Sequence, residues 1–394
     1  MKIGIIGGGA SGIFAAIEAR KKYSDVTIFD KNDFLGRKLS ATGAGRCNLT
    51  NVNVSPDIYR SIKNFSFKNL IQTHDYGFLI KYLTQLGIHT YHTDDGWVYP
   101  LSNSARNISI LLEDYLIRQN VKIYKNSSVS GFIKTNNRFQ LKTDAGKSFE
   151  FDKLILASGG KAYPQLNASD EILQSLLNFG HTLLPAYPAL APIKTSKHET
   201  KLLSGVRFDS TIRIYDNNSV IGSEFGNIIF TDWGLNGPGV MNLSYLVQDK
   251  TNLKIEIDFS TVLPQDFINN IISNKDKFLY LSTPLLSIFN KKIIDQLLLN
   301  LNLSVTSLFQ LSDFLNLVRK MKFVEKIIGT RDFEFAQISV GAIEPSQINP
   351  ESLESKLCSG LYFAGEVLDL FGPCGGFNLH WAFISGIIAG QLKS

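Results

Sequence analysis

Lys2-Ile-Gly-Ile-Ile6-Gly7-Gly8-Gly9-Ala10-Ser11-Gly12-Ile13-Phe14-Ala-Ala16-Ile17-Glu-Ala19 decides the fold. Lys2–Ile6 reads as a short buried strand, and Ile13, Phe14, Ala16, Ile17 and Ala19 fall at helical spacing. Between them stands G-x-G-x-x-G, a weak motif alone and an informative one between a strand and a helix. Gly7 supplies the tight turn, Gly9 lets a pyrophosphate approach the backbone, and Gly12 lets helix and strand pack closely. The helix start at Ala10 and Ser11 offers N–H donors and the positive end of the dipole. A second strand, Val26-Thr-Ile-Phe-Asp30, ends in an acid 18 residues after Gly12, where a carboxylate meets ribose hydroxyls. These features predict a dinucleotide site.

Later segments choose between FAD and NAD as the resident dinucleotide. Lys31-Asn-Asp-Phe-Leu-Gly36-Arg37-Lys38 leads into a second glycine-rich loop, Thr42-Gly43-Ala44-Gly45-Arg46-Cys47-Asn48. A loop of this kind soon after the ribose acid is typical of flavoproteins. Lys153–Leu156 followed by Ala157-Ser158-Gly159-Gly160 reads as an apolar strand ending in small residues. Near the C-terminus, Gly360–Ala364 is another strand, followed by Gly365-Glu366, which suits the ribityl or phosphate. Gly375-Gly376-Phe377-Asn378-Leu379 then opens a helix expected from about His380 to Leu392. The start of that helix would aim N–H groups at the flavin N1/C2=O edge. Eight of the 31 glycines lie in residues 1–45 and seven in 360–390, which points to one site assembled from both termini.

The blocks GGGASG, LGRK…TGAGRCNLTN, LASGGKAYPQL, TDWGLNGPGVMNLS, AQISVGAI and GLYFAGEVLDLFGPCGGFNLHWAFISGIIAG resemble one bacterial family. It is the FAD-dependent NAD(P)-type oxidoreductases, also labelled aminoacetone-oxidase-family FAD-binding enzymes. The family includes ribosomal RNA dihydrouridine synthases and dehydro-bile-acid reductases. The resemblance spans about residues 2–391. It implies an α/β fold: a Rossmann-like FAD-binding domain of the GR2 two-dinucleotide type with an inserted β-rich plus helical substrate domain. It extends the cofactor-facing set to Lys31, Arg37, Lys38, Thr42, Gly43, Gly45, Arg46, Cys47, Val129, Ala157, Ser158, Gly159, Gly365, Glu366, Gly376, Phe377, Asn378 and Leu379. Three departures stand out: Ala44 and Ala342 occupy glycine positions of the pattern, and Pro373-Cys374 replaces a more common Asp-Thr pair.

The expected organisation is a discontinuous FAD-binding domain at 1–194 and 336–394, with 195–262 β-rich and 263–335 helical. Gly205–Asp209, Thr211–Tyr215, Gly226–Phe230 and Leu253–Asp258 alternate as strands. Residues 263–328 contain no glycine and carry helical spacing at Ile293, Leu297 and Leu301, while Tyr187–Pro192 reads as a hinge.

The composition, 40 Lys+Arg against 35 Asp+Glu with 44% hydrophobic residues, excludes a disordered chain and only permits an anionic partner. Apolar runs fall short of a membrane span, and the start lacks signal-peptide character, so a cytoplasmic protein away from membranes is expected. Cys47, Cys358 and Cys374 lack disulfide or zinc spacing, so no metal is expected. One local cluster, Arg319, Lys320, Lys322, Lys326 and Arg331, offers either RNA phosphate contacts or a solvated helix face. Tyr91, Trp97 and Tyr99 offer stacking on a planar substrate or core packing.

The expected chemistry is reduction of an activated C=C bond with transient NADH or NADPH as donor. The preferred substrate is a uridine in 23S rRNA; oxidation of small amines, reduction of a small steroid-like enone and a non-enzymatic FAD-binding module are the alternatives. A proton donor is needed. Cys47 is the candidate, its thiolate favoured by Arg46, or else a packed loop thiol. Asn48 and Asn51 would pin the loop, with Lys161, Tyr163, Cys374, His380 and Trp381 nearby.

Overall fold

The computed structural model describes residues 1–63, 67–196 and 199–393 and divides into two compact units, 1–188 with 336–394, and 189–335.

In the first unit, β1 (Lys2–Ile6) sits at the centre of a five-stranded sheet. Its neighbours are β2 (Asp25–Phe29) on one side and Lys153–Leu156 on the other. Lys122–Tyr124 and Leu361–Phe363 form the edges, and every pairing is parallel. Ile3, Ile5, Ile28, Leu154, Ile155 and Leu156 are fully buried, as expected of a sheet covered on both faces. Helix α1 (Ala10–Arg20) follows β1 without a side-chain cap and without an acid in its first turn. Its first N–H groups therefore have no partner within the helix.

The last helix, Phe377–Gly390, starts one turn before the expected His380 because helical backbone resumes directly after Gly376, whose φ is +95°. It lies against α1 with almost no intervening side chain. A Cβ at Gly386 would stand 2.3 Å from the Ser11 carbonyl oxygen, and one at Gly390 would stand 2.5 Å from that of Ala15. Phe14 and Phe383 pack beside this contact with centroids 4.4 Å apart and ring planes tilted by 32°. The two glycine-bearing ends of the chain thus share one helix–helix contact.

Leu183–Ala189 pairs with Ile338–Ile343. Glu344 N–H donates to the Thr182 carbonyl while Gly341 packs on Pro185, so the two strands run in opposite directions.

The second unit is built on a closed antiparallel barrel. Its strands in spatial order are Ile193–Thr195, Gly234–Asn236, Ser219–Thr231, Arg207–Asp216, Leu253–Asp258 and Lys322–Thr330. The unit begins at Ala189 rather than 195, because Ile193–Thr195 closes the barrel by pairing with Lys322–Thr330. The stretches 205–209 and 211–215, expected as two strands, form one, Arg207–Asp216. The region 263–335 is not wholly helical. Phe323, Glu325 and Ile327 point inward and alternate with exposed Lys322, Val324 and Lys326, a period-two pattern that makes a strand. Helices Phe267–Ser273, Lys291–Leu299 and Leu311–Arg319 occupy the rest, and Leu301 lies beyond the helix that holds Ile293 and Leu297. Among the described residues, no helix is long and apolar enough to cross a membrane.

Candidate flavin site

The phosphate turn is set by backbone contacts. Gly7 N–H donates to the Phe29 carbonyl at 2.8 Å, which ties the turn to the end of β2. A Cβ at Gly12 would stand 1.8 Å from the Gly7 oxygen, so only glycine fits there. At Gly9 an added Cβ meets nothing within 4 Å. Asp30 accepts from Gly8 N–H at 2.6 Å and from Asn32 N–H at 2.8 Å, placing its carboxylate beside the turn. Burial raises the Asp30 pKa, while the two N–H bonds favour the charged form. Lys31, next in chain, has its pKa lowered by burial. Ser127 N–H donates to the Asp30 carbonyl, which brings Val129, at the start of the strand Val129–Thr135, toward the same end of the site.

The second glycine loop is a strained turn. Gly43, Ala44, Gly45 and Cys47 all have positive φ. Arg46 N–H closes onto the Gly43 carbonyl, Cys47 N–H closes onto that of Thr42, and Thr42 Oγ1 donates to the Leu39 carbonyl. Ala44, Gly45 and Arg46 are exposed, whereas the residues from Cys47 to Thr50 are buried. The Arg46 guanidinium lies 3.9 Å from the centroid of the buried Tyr99 ring, a cation–π stack that leaves its other face open.

Cys47 is not an activated thiolate. Its side chain is fully buried, and burial pushes the thiol up to about 12 against only a weak Thr42 hydrogen bond. Arg46 is turned onto Tyr99 instead. Of the lysine–arginine pair before the loop, Arg37 is engaged by Asp33 at 3.1 Å. Lys38 reaches Glu366 across the chain at 2.7 Å.

Ala157 closes the opposite wall, its carbonyl oxygen 2.3 Å from where a Gly7 Cβ would stand. Ser158 Oγ is buried with no hydrogen-bond partner, and a Cβ at Gly159 would meet only open space. Gly160 presses against Ser339 Oγ and Glu366 Oε1. The Glu366 carboxylate takes the Ser339 N–H at 2.7 Å and the Ser339 hydroxyl at 2.8 Å, in addition to Lys38. Glu366 therefore braces the wall, and Gly365 N–H is taken by Ser385 Oγ at 2.9 Å. The Glu366 carboxylate and the Gly365 N–H are thus both engaged by side chains far off in sequence.

The last helix presents Gly376 at its N-terminal end. Thr50 O and Asn48 Oδ1 lie within 2.7 Å of where a Gly376 Cβ would be. Asn51 pins the turn through Gly375 O at 3.0 Å, while Asn48 Oδ1 is buried without a partner. Asn378 locks the preceding turn, accepting from Gly372 N–H and donating to Gly372 O, both at 2.9 Å. Tyr59 OH holds the Phe377 carbonyl, and Leu379 packs on the core. His380 is fully buried between Thr50 Oγ1 at 2.8 Å and the His74 carbonyl at 2.9 Å, and burial lowers its pKa to about 4. It is a neutral structural pin.

Tyr91 is tied to Asn103 and faces Tyr99, with the ring centroids 6.0 Å apart. The Trp97 indole nitrogen lies 3.2 Å from a Gly375 Cβ position. In the basic cluster, Arg319, Lys320 and Lys326 are exposed. Lys322 pairs with Glu256 at 3.3 Å, and Arg331 stacks on Phe335 and Trp233. Two of the five cations are thereby engaged within the chain.

These walls suit a flavin dinucleotide. Free N–H groups at α1, open space at Gly9, Gly45 and Gly159, and unpartnered Ser158 Oγ and Asn48 Oδ1 all await polar partners. Fold and site define an FAD-binding oxidoreductase of Rossmann type. Residues 1–392 match the family described as the HI0933-like protein Rossmann domain, and the chain belongs to that family.

The chain is 33% identical over 404 residues to the 3-dehydro-bile acid delta(4,6)-reductase of Clostridium scindens, covering 99% of this chain and 98% of that protein. It is 29% identical to the ribosomal RNA dihydrouridine synthase of Haemophilus influenzae, with 97% and 95% covered. The synthase of the same name from Escherichia coli is 28% identical, with 98% and 96% covered.

Proposed function

We propose that this FAD-dependent oxidoreductase saturates a C=C bond conjugated to a carbonyl, in a small molecule of the steroid-enone class, with NADH or NADPH as electron donor. One observation carries the proposal. Three full-length relatives, with two kinds of substrate between them, bear names that describe the same change, two hydrogens added across a conjugated C=C. The relative with the highest identity among them acts on a dehydro-bile acid.

When bound, FAD supplies hydride to one carbon of such a bond and takes its own electrons from the nicotinamide. The chain's residues account for the rest. The N–H groups of Ala10, Ser11 and Gly12 would hold the pyrophosphate, and Asp30 the adenosine ribose. The N-terminal end of the helix Phe377–Gly390 favours negative charge and would stabilise the reduced ring. Arg46, exposed above Tyr99, would orient an electron-rich substrate edge such as a carbonyl or carboxylate. A second glycine motif for a resident nicotinamide nucleotide is not evident in the sequence, which fits a donor that docks and leaves.

Uridine in ribosomal RNA is the second reading, supported by the names of two relatives and by exposed Arg319, Lys320 and Lys326. Internal pairing of Lys322 and Arg331 favours the small molecule. Comparing rRNA nucleosides by mass spectrometry with and without the gene separates the two. Unchanged dihydrouridine is expected, and its loss would move the substrate to RNA.

A further inference from the structure

Tyr163 adopts a backbone conformation that tyrosine rarely takes, with φ 66° and ψ 57°. A side chain in this left-handed region is strained relative to glycine. Asparagine, which tolerates the region, stands at most of the other such non-glycine positions among the described residues, for example Asn126, Asn136 and Asn167. A bulky aromatic here holds a place that a small turn residue would fill at lower cost.

That place is where the walls of the flavin site meet. Tyr163 follows the Ala157–Gly160 turn, whose open backbone faces the cofactor region. The Lys38 ammonium lies 5.8 Å from its ring centroid, and Lys38 is held there by Glu366. Cys374, the residue just before Gly375 and Gly376, is near enough to act on the phenol electrostatically. Tyr163 is half-buried, so the side chain is not sealed from solvent. Other proton sources nearby are less apt: Cys47 is fully buried, His380 is buried and bonded at both nitrogens, and Lys38 is engaged by Glu366.

We propose that Tyr163 is the acid that protonates the substrate during C=C reduction, an assignment that rests on the reductase reading above. Hydride brings two electrons and one hydrogen to the β-carbon. The π pair moves to the α-carbon, which takes the proton from Tyr163 as the phenolic O–H bond breaks and the C–H bond forms. The phenolate left behind is stabilised by the neighbouring Lys38 ammonium and regains a proton from water. The oxidised flavin is returned to its reduced form by NADH or NADPH. Burial raises the phenol's pKa, so it stays protonated and ready across the neutral range.

The test is Tyr163→Phe, which keeps the ring and the backbone. FAD is titrated into apoprotein of both forms, and the holoenzymes are reduced anaerobically with NADPH. Each is then mixed with a 3-oxo-4,6-diene steroid in H2O and in D2O, and, in parallel, with rRNA lacking dihydrouridine. FAD affinity and the rate of reduction by NADPH are expected to be unchanged. Reoxidation by the dienone should slow roughly 100-fold, the low end of general acid catalysis. The solvent isotope effect on the step should diminish in the variant, and deuterium at the α-carbon should lose its stereospecificity. Wild-type enzyme that reoxidises with a probe while Tyr163→Phe matches it in rate and isotope effect overturns the proposal and leaves the reductase reading standing. Wild-type enzyme that neither probe reoxidises overturns both. A variant that loses FAD affinity in proportion to its rate also overturns it, since Tyr163 would then act only by shaping the cofactor site.

Discussion

Arg46 and Cys47 are neighbours in sequence with opposite fates, and the reason is a single dihedral. Cys47 takes φ 65°, which turns its side chain into the core while Arg46 stays outside on Tyr99. Adjacency suggests a cation lowering a thiol pKa; burial wins because the charge is not aimed at the sulfur. Cys47→Ala is therefore expected to leave reoxidation of the reduced flavin at the wild-type rate and to cost about 1 kcal/mol of stability from the lost packing. Stopped-flow rates and denaturant midpoints check both, and a large drop in rate with an unchanged midpoint would restore a catalytic role. Ala44 and Ala342 also sit at positive φ, 54° and 88°, as the family's glycine pattern at those positions implies. Their β-carbons strain the turns without destroying them.

At the scale of elements, the site depends on contacts that join the two ends of the chain. Gly386 and Gly390 let the last helix touch the backbone of α1, and His380 ties that helix to the strand Thr50–Asn51 and to His74. His380 also sets a pH dependence. Its pKa is about 4 when folded and about 6.5 when unfolded. Between these values only the unfolded chain takes up the proton, so the contribution is fully present above about pH 6.5 and is lost as pH falls toward 4. Between pH 7 and pH 5 the loss is about 2 kcal/mol. His380→Gln should lose less stability over that interval in chemical denaturation. The raised carboxyls of Asp30 and Asp369 act in the opposite sense, but equally in both proteins. Equal losses in the two proteins would contradict the assignment.

What was legible in the sequence follows from the range of the interactions. Phosphate turn, β2 acid, glycine loop and final glycine pair are local sequence patterns and so were legible, although the atoms that Gly7 and Gly376 press against, the Ala157 and Thr50 carbonyl oxygens, lie far off in sequence. The Lys38–Glu366–Ser339 bracing joins residues 328 and 27 positions apart, and no periodicity encodes it. The strand Lys322–Thr330 alternates plainly, yet its place among glycine-free helices hid it until barrel closure required it.

For the whole molecule, the second unit enters and leaves through the antiparallel pair Leu183–Ala189 and Ile338–Ile343, so the two points of insertion lie side by side. The residues assigned to the cofactor all lie in the first unit. Replacing residues 190–335 with a short Gly-Ser linker should leave a folded protein that binds FAD. Flavin absorbance after gel filtration checks this, and a protein unable to retain FAD would show that the cradle needs the insertion.

The central claim is that electrons pass from the bound flavin to a conjugated C=C. The most direct measurement is anaerobic mixing of the NADPH-reduced protein with a 3-oxo-4,6-diene steroid, following flavin absorbance and product mass together. The account predicts that the bleached flavin regains its colour as one equivalent of product gains two hydrogens. Flavin that stays bleached with the dienone and with rRNA, and recovers only with oxygen after reduction by a small amine, would contradict it and identify an oxidase.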